Sequence, residues 1–442
     1  MSLKRIFIST GEVSGDLQGA MLIEALKRHA QITGLELEIV ALGGEKMAAA
    51  GAKLLVNTTG IGSVGLLESL PFVLPTLQIQ RRARQYLQQH PPEIAVLIDY
   101  FGPNLVIGNL IRSRLPQVPI VYYIAPQDWV WSVSSRNTAK LVKMTDKMLA
   151  IFPEEARYFQ NKGTSVTWVG HPLVDRMQSS PSRQQARAAL GIEPEQIAIA
   201  LVPASRRQEL KYMLPVICEA AKRIQSQLLE GVGREGGMGR GGAGREGGMG
   251  RGGAGREGGM GRGGDGENLS SSLSQNLKLS QDSLLFWIPL ALEAYRRPIE
   301  AAIESYGLRA TLVSEQTTEV LAAVDLAITK SGTVNLELAL LDVPQVVFYR
   351  VSPVTAWLAR TFLNFSIPFM SPPNLVVMRS IVPEFLQEQA TPENIVQEAL
   401  ELLLNPQRRQ QTLADYQEMR SLLGEVGVCD RAAREILQIA KI

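Results

Sequence analysis

Ile6-Phe-Ile-Ser-Thr-Gly-Glu-Val-Ser-Gly-Asp16 is the stretch that decides the fold. A short apolar run, predicted as a strand over Ile6 to Ser9, breaks into small residues and then into an amphipathic helix predicted over Asp16 to Arg28. The same alternation recurs along the first half of the chain. Strands are expected at Leu37 to Leu42, Ile94 to Ile98, Ile120 to Ile124, Met148 to Phe152 and Ser165 to Val169, with a helix such as Pro75 to Gln89 between two of them. Short Val/Ile-rich runs separated by helices are the mark of a parallel sheet covered on both faces.

After Gly170-His171-Pro172 the chain turns polar and helical, and a second series follows: Ile197 to Val202, Leu284 to Ile288, Ala310 to Val313, Asp325 to Thr329 and Gln345 to Tyr349. The 442 residues exceed what one hydrophobic core supports. The expected fold class is therefore α/β with two Rossmann-like domains, one over residues 1–180, one over 181–390, and C-terminal helices over 391–442. The predicted boundary lies near 175–190.

Between Gly231 and Gly266 the unit G-R-E-G-G-M-G-R-G-G-A is repeated about three times. So glycine-rich a sequence, with a polar flank up to Asp282, cannot bury enough apolar surface to offset its ordering entropy, so residues 231–282 are expected to be a disordered linker. Its arginines leave a weak contact with an anionic surface as the other reading.

Composition narrows the function. A formal charge of +2, with charged residues at 20%, gives no footprint for nucleic acid. The two cysteines, Cys218 and Cys429, are far apart and fit a reducing compartment. Ile6 to Ile8 is too short for a signal peptide, and no uncharged apolar run is long enough to span a bilayer, so a cytoplasmic protein with at most peripheral membrane contact is expected.

Four strand ends carry candidate chemistry. Gly11-Glu12-Val13-Ser14-Gly15-Asp16 places small residues and free N–H groups at a helix start, a setting for an anion, although Asp16 could equally be a helix cap. Asp99 follows the strand Ile94 to Ile98 directly and reads either as a carboxylate reaching a substrate hydroxyl or as a turn residue capping the next helix. In the second half, Val202-Pro-Ala-Ser-Arg206 offers a guanidinium suited to a diphosphate, and Lys330-Ser-Gly-Thr-Val-Asn-Leu-Glu337 a phosphate cradle with a carboxylate for ribose hydroxyls. Leu66, Leu70 and Phe72, followed by Arg81 and Arg82, suit acyl chains or an anionic membrane surface as well as they suit a core. His29 and His90 read as helix-surface residues, and His171 lies in the hinge.

Taken together and in order, G-E-V-S-G-D at 11, I-G-S-V-G-L-L-E at 61, the Asp99 turn, Y-Y-I-A-P-Q-D-W-V-W at 122, V-G-H-P-L at 169, P-A-S-R at 203, S-G-T-V-N-L-E at 331, Y-R at 349, P-N-L at 373 and a V-P-E-F-L-Q helix at 382 resemble the lipid-A-disaccharide synthase family over nearly the whole chain. The resemblance implies a GT-B fold with its two sheets facing across a cleft, and an inverting transfer that needs no metal or cofactor. Its substrates would be UDP-2,3-diacylglucosamine and 2,3-diacylglucosamine 1-phosphate, and the enzyme would lie on the cytoplasmic face of the inner membrane; a homodimer is a candidate assembly that the sequence does not decide. By the same resemblance Arg206, Ser331, Gly332, Thr333, Glu337 and Asn374 line the UDP site. Gly11, Ser14, Gly15 and Asp99 face them on the acceptor side. Asp99 is the expected base, with Glu12 and Asp16 behind it.

The chain departs from the family pattern after Asp99, where it reads Tyr100-Phe101-Gly102-Pro103-Asn104 in place of A-P-D-F-N, at Ala204, where the family has glycine, and at Val376-Val377-Met378, where an Ala-Gly pair is usual. Two other readings stay open. One is a related GT-B enzyme, either a glycosyltransferase using another lipid acceptor or a UDP-sugar epimerase, though an epimerase would need no acyl-binding surface, against the apolar run at 61–75; the other is a noncatalytic member binding UDP-sugar or lipid, which would not need Asp99, Arg206 and Glu337 together.

Overall fold

The computed structural model describes residues 3–11, 13–59, 73–126, 129–130, 135–204, 207–230, 280–351 and 369–441. Glu12, Leu66, Leu70, Phe72, Arg206 and the repeat insert lie outside them.

The first sheet has seven parallel strands, β1 (Lys4–Ser9), β2 (Leu37–Gly43), β3 (Lys53–Asn57), β4 (Ile94–Ile98), β5 (Ile120–Tyr123), β6 (Lys147–Ala150) and β7 (Val166–Trp168), in the order β3-β2-β1-β4-β5-β6-β7. The second has six, β8 (Ile197–Val202), β9 (Leu284–Pro289), β10 (Ala310–Val313), β11 (Leu326–Lys330), β12 (Gln345–Tyr349) and β13 (Glu384–Leu386), in the order β10-β9-β8-β11-β12-β13. Both sheets are doubly wound, as the alternation of strands and helices predicts, and the inner strand β4 is buried along its whole length.

Two edge strands differ from the sequence expectation. β3 was not anticipated, because Lys53-Leu-Leu-Val-Asn57 is only half-buried and carries polar residues at both ends. The helix expected at 382 is instead the strand β13: Val347, Phe348 and Tyr349 of β12 pair in parallel with Glu384, Phe385 and Leu386. Pro383 holds the preceding residue away from helical geometry, and its carbonyl accepts from Val347 N at 2.9 Å, which leads the chain into the sheet.

The first helix, Val13–Thr33, starts three residues ahead of its predicted start and packs Leu22, Ile23, Ala25 and Leu26 onto the first sheet. Each of the Leu and Ile side chains among them, fully buried, contributes about 1.5–3 kcal/mol relative to exposure. The helix Pro406–Leu423 packs beside the second sheet, with Tyr416, Met419 and Leu423 against Leu336 and Val347. The final helix, Val428–Ile439, crosses back: Val428, Cys429, Ala432, Ala433 and Ile436 join the core that holds Ile6, Ile8, Val96 and Val121 of the first sheet. Asp175 caps this last helix, its carboxylate accepting from Gly427 N, Val428 N and Cys429 N at 2.7, 3.1 and 2.8 Å.

Candidate active site

Ligands of open parallel sheets gather beyond the carboxyl ends of the strands, where the strand order reverses. In the first sheet that point lies between β1 and β4, paired from Ile6 opposite Ile94 to Ser9 opposite Leu97. The segments leaving these two strand ends are the Gly11 turn and the Asp99 turn, so topology brings the first two motifs face to face. A Cβ on Gly11 would lie 1.9 Å from the Tyr100 ring, and this contact is what requires glycine there. Gly15 is required for a different reason: its Cβ would meet Thr10 Oγ1 at 1.9 Å. Ser14 sits half-buried between them.

Asp99 and Tyr100 both adopt left-handed backbone geometry, with φ of 45° and 44°, and Ile124 at the end of β5 does the same with φ of 63°. Such geometry costs a non-glycine residue about 1–2 kcal/mol and persists only where the surroundings impose it. Here they do. Asp99 N donates to the carbonyls of Tyr123 and Ile124 at 3.3 and 3.1 Å. Its own carbonyl accepts from Tyr122 Oη at 2.6 Å and Asn104 Nδ2 at 2.9 Å. Asn104 is fully buried; it also donates to Ile98 O at 3.0 Å and accepts from Ser9 Oγ at 2.8 Å, tying the ends of β1 and β4 together. The next helix, Phe101–Arg114, has Tyr100 at its N-cap.

Asp16 has a different setting from the one its motif suggested. It is buried inside the first helix, and its carboxylate accepts from Gly44 N at 2.7 Å, Met47 N at 3.1 Å and Lys46 N at 3.1 Å, anchoring the start of the short helix Glu45–Ala49. Arg81 and Arg82 project exposed from the helix Val73–Gln89.

In the second sheet the order reverses between β8 and β11, paired from Ile199 opposite Leu326 to Val202 opposite Thr329. The P-A-S-R and K-S-G-T motifs leave those two ends. Ser331 Oγ donates to Met370 O at 2.7 Å, Gly332 N donates to Asn335 Oδ1 at 2.7 Å, and Thr333 is exposed at the entry to the helix Val334–Leu340. Asn335 is the counterpart of Asn104: buried, it donates to Lys330 O at 3.2 Å and Gln345 Oε1 at 2.9 Å, fixing the turn. Lys330 Nζ lies 3.3 Å from Glu209 Oε2, in an ion pair largely shielded from solvent.

Glu337 is held by Arg176, Nη1 and Nη2 donating to Oε1 and Oε2 at 3.2 and 3.0 Å. Burial raises its carboxyl above the usual range, and the Arg176 charge pulls the other way. Asn374 does not present its side chain to open space. It is fully buried, donates to Val382 O at 2.9 Å and Glu384 Oε2 at 3.0 Å, and accepts from Ile381 N and Val382 N at 2.7 and 2.8 Å. Its amide therefore holds β13 beside the Ser331 turn.

Sequence reasoning did not single out Asn104, Asn335, Arg176 or Glu155. Glu155 is fully buried at the start of the helix Pro153–Asn161, where its carboxylate accepts from Ala125 N at 2.8 Å, Ile151 N at 2.9 Å and Phe152 N at 3.2 Å. Burial, with a smaller push from the Asp99 charge, takes its carboxyl up to about 7. His171, in the connection between the units, is also buried; its Nδ1 accepts from Leu173 N at 3.1 Å and its ring packs against Phe152 with centroids 5.3 Å apart. Burial holds its imidazole down to about 4, and hence neutral.

With this geometry in place, comparison with known proteins separates the readings that share the fold. A family model described as lipid-A-disaccharide synthetase matches residues 6–231 and 267–439, which include all four strand-end motifs and leave out most of the repeat. The chain belongs to this family. It is 55% identical over 433 residues to a lipid-A-disaccharide synthase of Gloeothece citriformis, covering 98% of this chain and 99% of the relative. Over 438 residues it is 50% identical to the synthase of a Synechocystis strain, covering 99% and 98%. Among solved structures, the UDP-GlcNAc 2-epimerase of Neisseria meningitidis bound to UDP-GlcNAc is similar with a TM-score of 0.57, at 12% identity over 99% of this chain and 100% of that one. That likeness establishes the shared GT-B fold and nothing more, since one fold hosts many reactions. As a lipid-A-disaccharide synthetase family member the protein is a glycosyltransferase of lipid A biosynthesis.

Proposed function

We propose that the enzyme transfers 2,3-diacylglucosamine from UDP to the 6-hydroxyl of 2,3-diacylglucosamine 1-phosphate, with Asp99 as the base. The observation that carries the proposal is the Asp99 turn itself: a carboxylate at the switch point of the first sheet, on a left-handed backbone over-determined by Asn104, Tyr122, Tyr123 and Ile124. Pre-organisation of this kind suits a group that must meet a hydroxyl in one orientation. Asp99 would take the proton from the acceptor O6 as that oxygen attacks the anomeric carbon, and the electron pair of the breaking C–O bond would leave on the UDP diphosphate.

On the donor side, Ser331, Gly332 and Thr333 would cradle the diphosphate with Arg206, and Glu337 would accept from the ribose hydroxyls after exchanging part of its contact with Arg176. Asn374 would act by holding β13 against that cradle, and Asp16 by fixing the wall behind Gly11, where Ser14 and Gly15 line the acceptor side; Glu12 would serve as a further catalytic carboxylate beside Asp99. Residues 1–180 would form the acceptor side and 181–390 the donor side, with the last helix returning to the first. No helix among the described residues is long and apolar enough to cross a membrane. Arg81 and Arg82, exposed on the helix Val73–Gln89, together with Leu66, Leu70 and Phe72 earlier in the sequence, would meet anionic lipid at the cytoplasmic face of the inner membrane, and we assign the homodimer as the working assembly.

The test is UDP release from UDP-2,3-diacylglucosamine, with and without the monosaccharide 1-phosphate, for wild type and Asp99→Asn. Acceptor-dependent UDP and disaccharide, reduced at least about 100-fold in a variant that still binds the donor, is the expected result. A fully active Asp99→Asn would rule out the base assignment; donor binding without disaccharide in the wild type would rule out the acceptor.

A further inference from the structure

Glu155 has a local explanation that is incomplete. As the third residue of the helix Pro153–Asn161 its Oε2 accepts from Phe152 N and from Ile151 N, which is ordinary helix capping. Its other oxygen leaves the helix altogether and accepts from Ala125 N at 2.8 Å, just beyond the end of β5. That N–H belongs to the same peptide unit as the Ile124 carbonyl, and the Ile124 carbonyl accepts from Asp99 N at 3.1 Å. One peptide is thus held between two carboxylate-bearing residues, its N–H on the Glu155 side chain and its C=O on the Asp99 backbone. Ile124 takes its left-handed φ of 63° at this peptide, and Asp99 takes its own on the other side.

We infer that Glu155 is a positioning residue for the transfer reaction, acting on Asp99 through the Ile124–Ala125 peptide. This rests on the reading of Asp99 as the base. An acceptor on the N–H side of a peptide polarises its carbonyl and strengthens the bond that the carbonyl receives, so Glu155 tightens the Asp99 N–H contact that helps impose the strained turn. Three backbone donors converging on one buried group call for a carboxylate: glutamine would turn an NH₂ toward N–H groups and leave one of them unpaired. Among the described residues, the ionisable groups facing Glu155 are Asp99 from the β4 turn, Tyr123 from β5 and, across the Phe152 ring, His171 from the connection between the units. Burial takes Glu155 up to about 7, so its charge, and with it the field at Asp99, changes near neutral pH.

The experiment compares kcat, donor KM and the pH dependence of kcat for wild type, Glu155→Gln and Glu155→Asp in the full-length enzyme, with Asp99→Asn alongside. Glu155→Gln is expected to lower kcat by roughly 10- to 100-fold with donor KM within about twofold, the size of effect that a small misplacement of a reacting group produces. The inflection that Glu155, held up to about 7, gives the kcat profile of the wild type near neutral pH should also be missing from this variant. Glu155→Asp keeps a titrating carboxylate and loses the reach to Ala125, so it should lower kcat while keeping an inflection in the pH profile; it carries the test if the glutamine variant does not fold. If these variants are less heat-stable yet keep wild-type kcat and pH profile, Glu155 is a helix cap and the inference is wrong. If Asp99→Asn is active, the base assignment fails on its own, whatever Glu155 does.

Discussion

Replacing His171 by asparagine should change how stability responds to acid by an amount that follows from burial. The imidazole is held down to about 4 in the folded protein against an ordinary 6.5, because charging it would place a cation in a site closed to water. A base depressed in this way contributes stability that is complete above pH 6.5 and is lost as pH falls toward 4. At about 1.36 kcal/mol per pH decade, the loss between pH 7 and pH 4.5 is about 2.5 kcal/mol. Asparagine cannot charge, and its amide oxygen can take the Leu173 N–H that Nδ1 accepts now. The variant should therefore be less stable than wild type at pH 7, through lost packing on Phe152, and the deficit should shrink by about 2.5 kcal/mol at pH 4.5. Urea unfolding followed by tryptophan fluorescence is the assay, since Trp129 lies 5.8 Å from Phe152 and reports on this contact. Taking the difference between two proteins that share Glu155 and every other carboxylate cancels their own titrations. A deficit that is the same at both pH values would refute the assignment of a neutral, buried His171.

Two other predictions are simpler. Gly11→Ala should abolish most of the activity by pushing a methyl into the Tyr100 ring, and adding Tyr100→Ala should restore part of it; failure of the second change to restore anything, measured as acceptor-dependent UDP release, would mean that the clash is not the cause. Shortening the chain by removing residues 233–265 should leave kcat and donor KM within about twofold of wild type, because a glycine-rich linker loses little when its length changes; a larger loss in steady-state assays would give the repeat a role in the reaction.

The inner strands were legible because burial on both faces leaves a continuous apolar run such as Ile94-Ala-Val-Leu-Ile98, which no other local structure explains as well. β3 and β13 were not, since edge strands half-open to water lose that signature, and Glu384-Phe-Leu386 is too short to show any period. The strand-end motifs were readable as chemistry because small residues and a carboxylate interrupt those runs at Gly11 and Asp99. What remained hidden is the partner of each polar group. Asn104 looks like any helix residue until Ser9, 95 positions away, is found on its amide oxygen, and Glu155 looks like a helix cap until Ala125 is found on its other oxygen. Arg176 carries no local signal at all: its meaning is Glu337, 161 residues on. Asp16 shows the converse, a motif residue whose carboxylate serves three backbone amides of a neighbouring helix start.

The return of the helix Val428–Ile439 to the first sheet bears on the order in which the chain can mature. The strands it covers are made at the start of synthesis, and the residues that seal them, Val428, Cys429, Ala432, Ala433 and Ile436, are made last. An apolar face on the nascent first half must therefore wait, open to chaperones or to misassociation, until the whole second half has emerged. A premature stop near the end of the message would cost the first unit its cover, leaving the first sheet unfinished while the second is already complete.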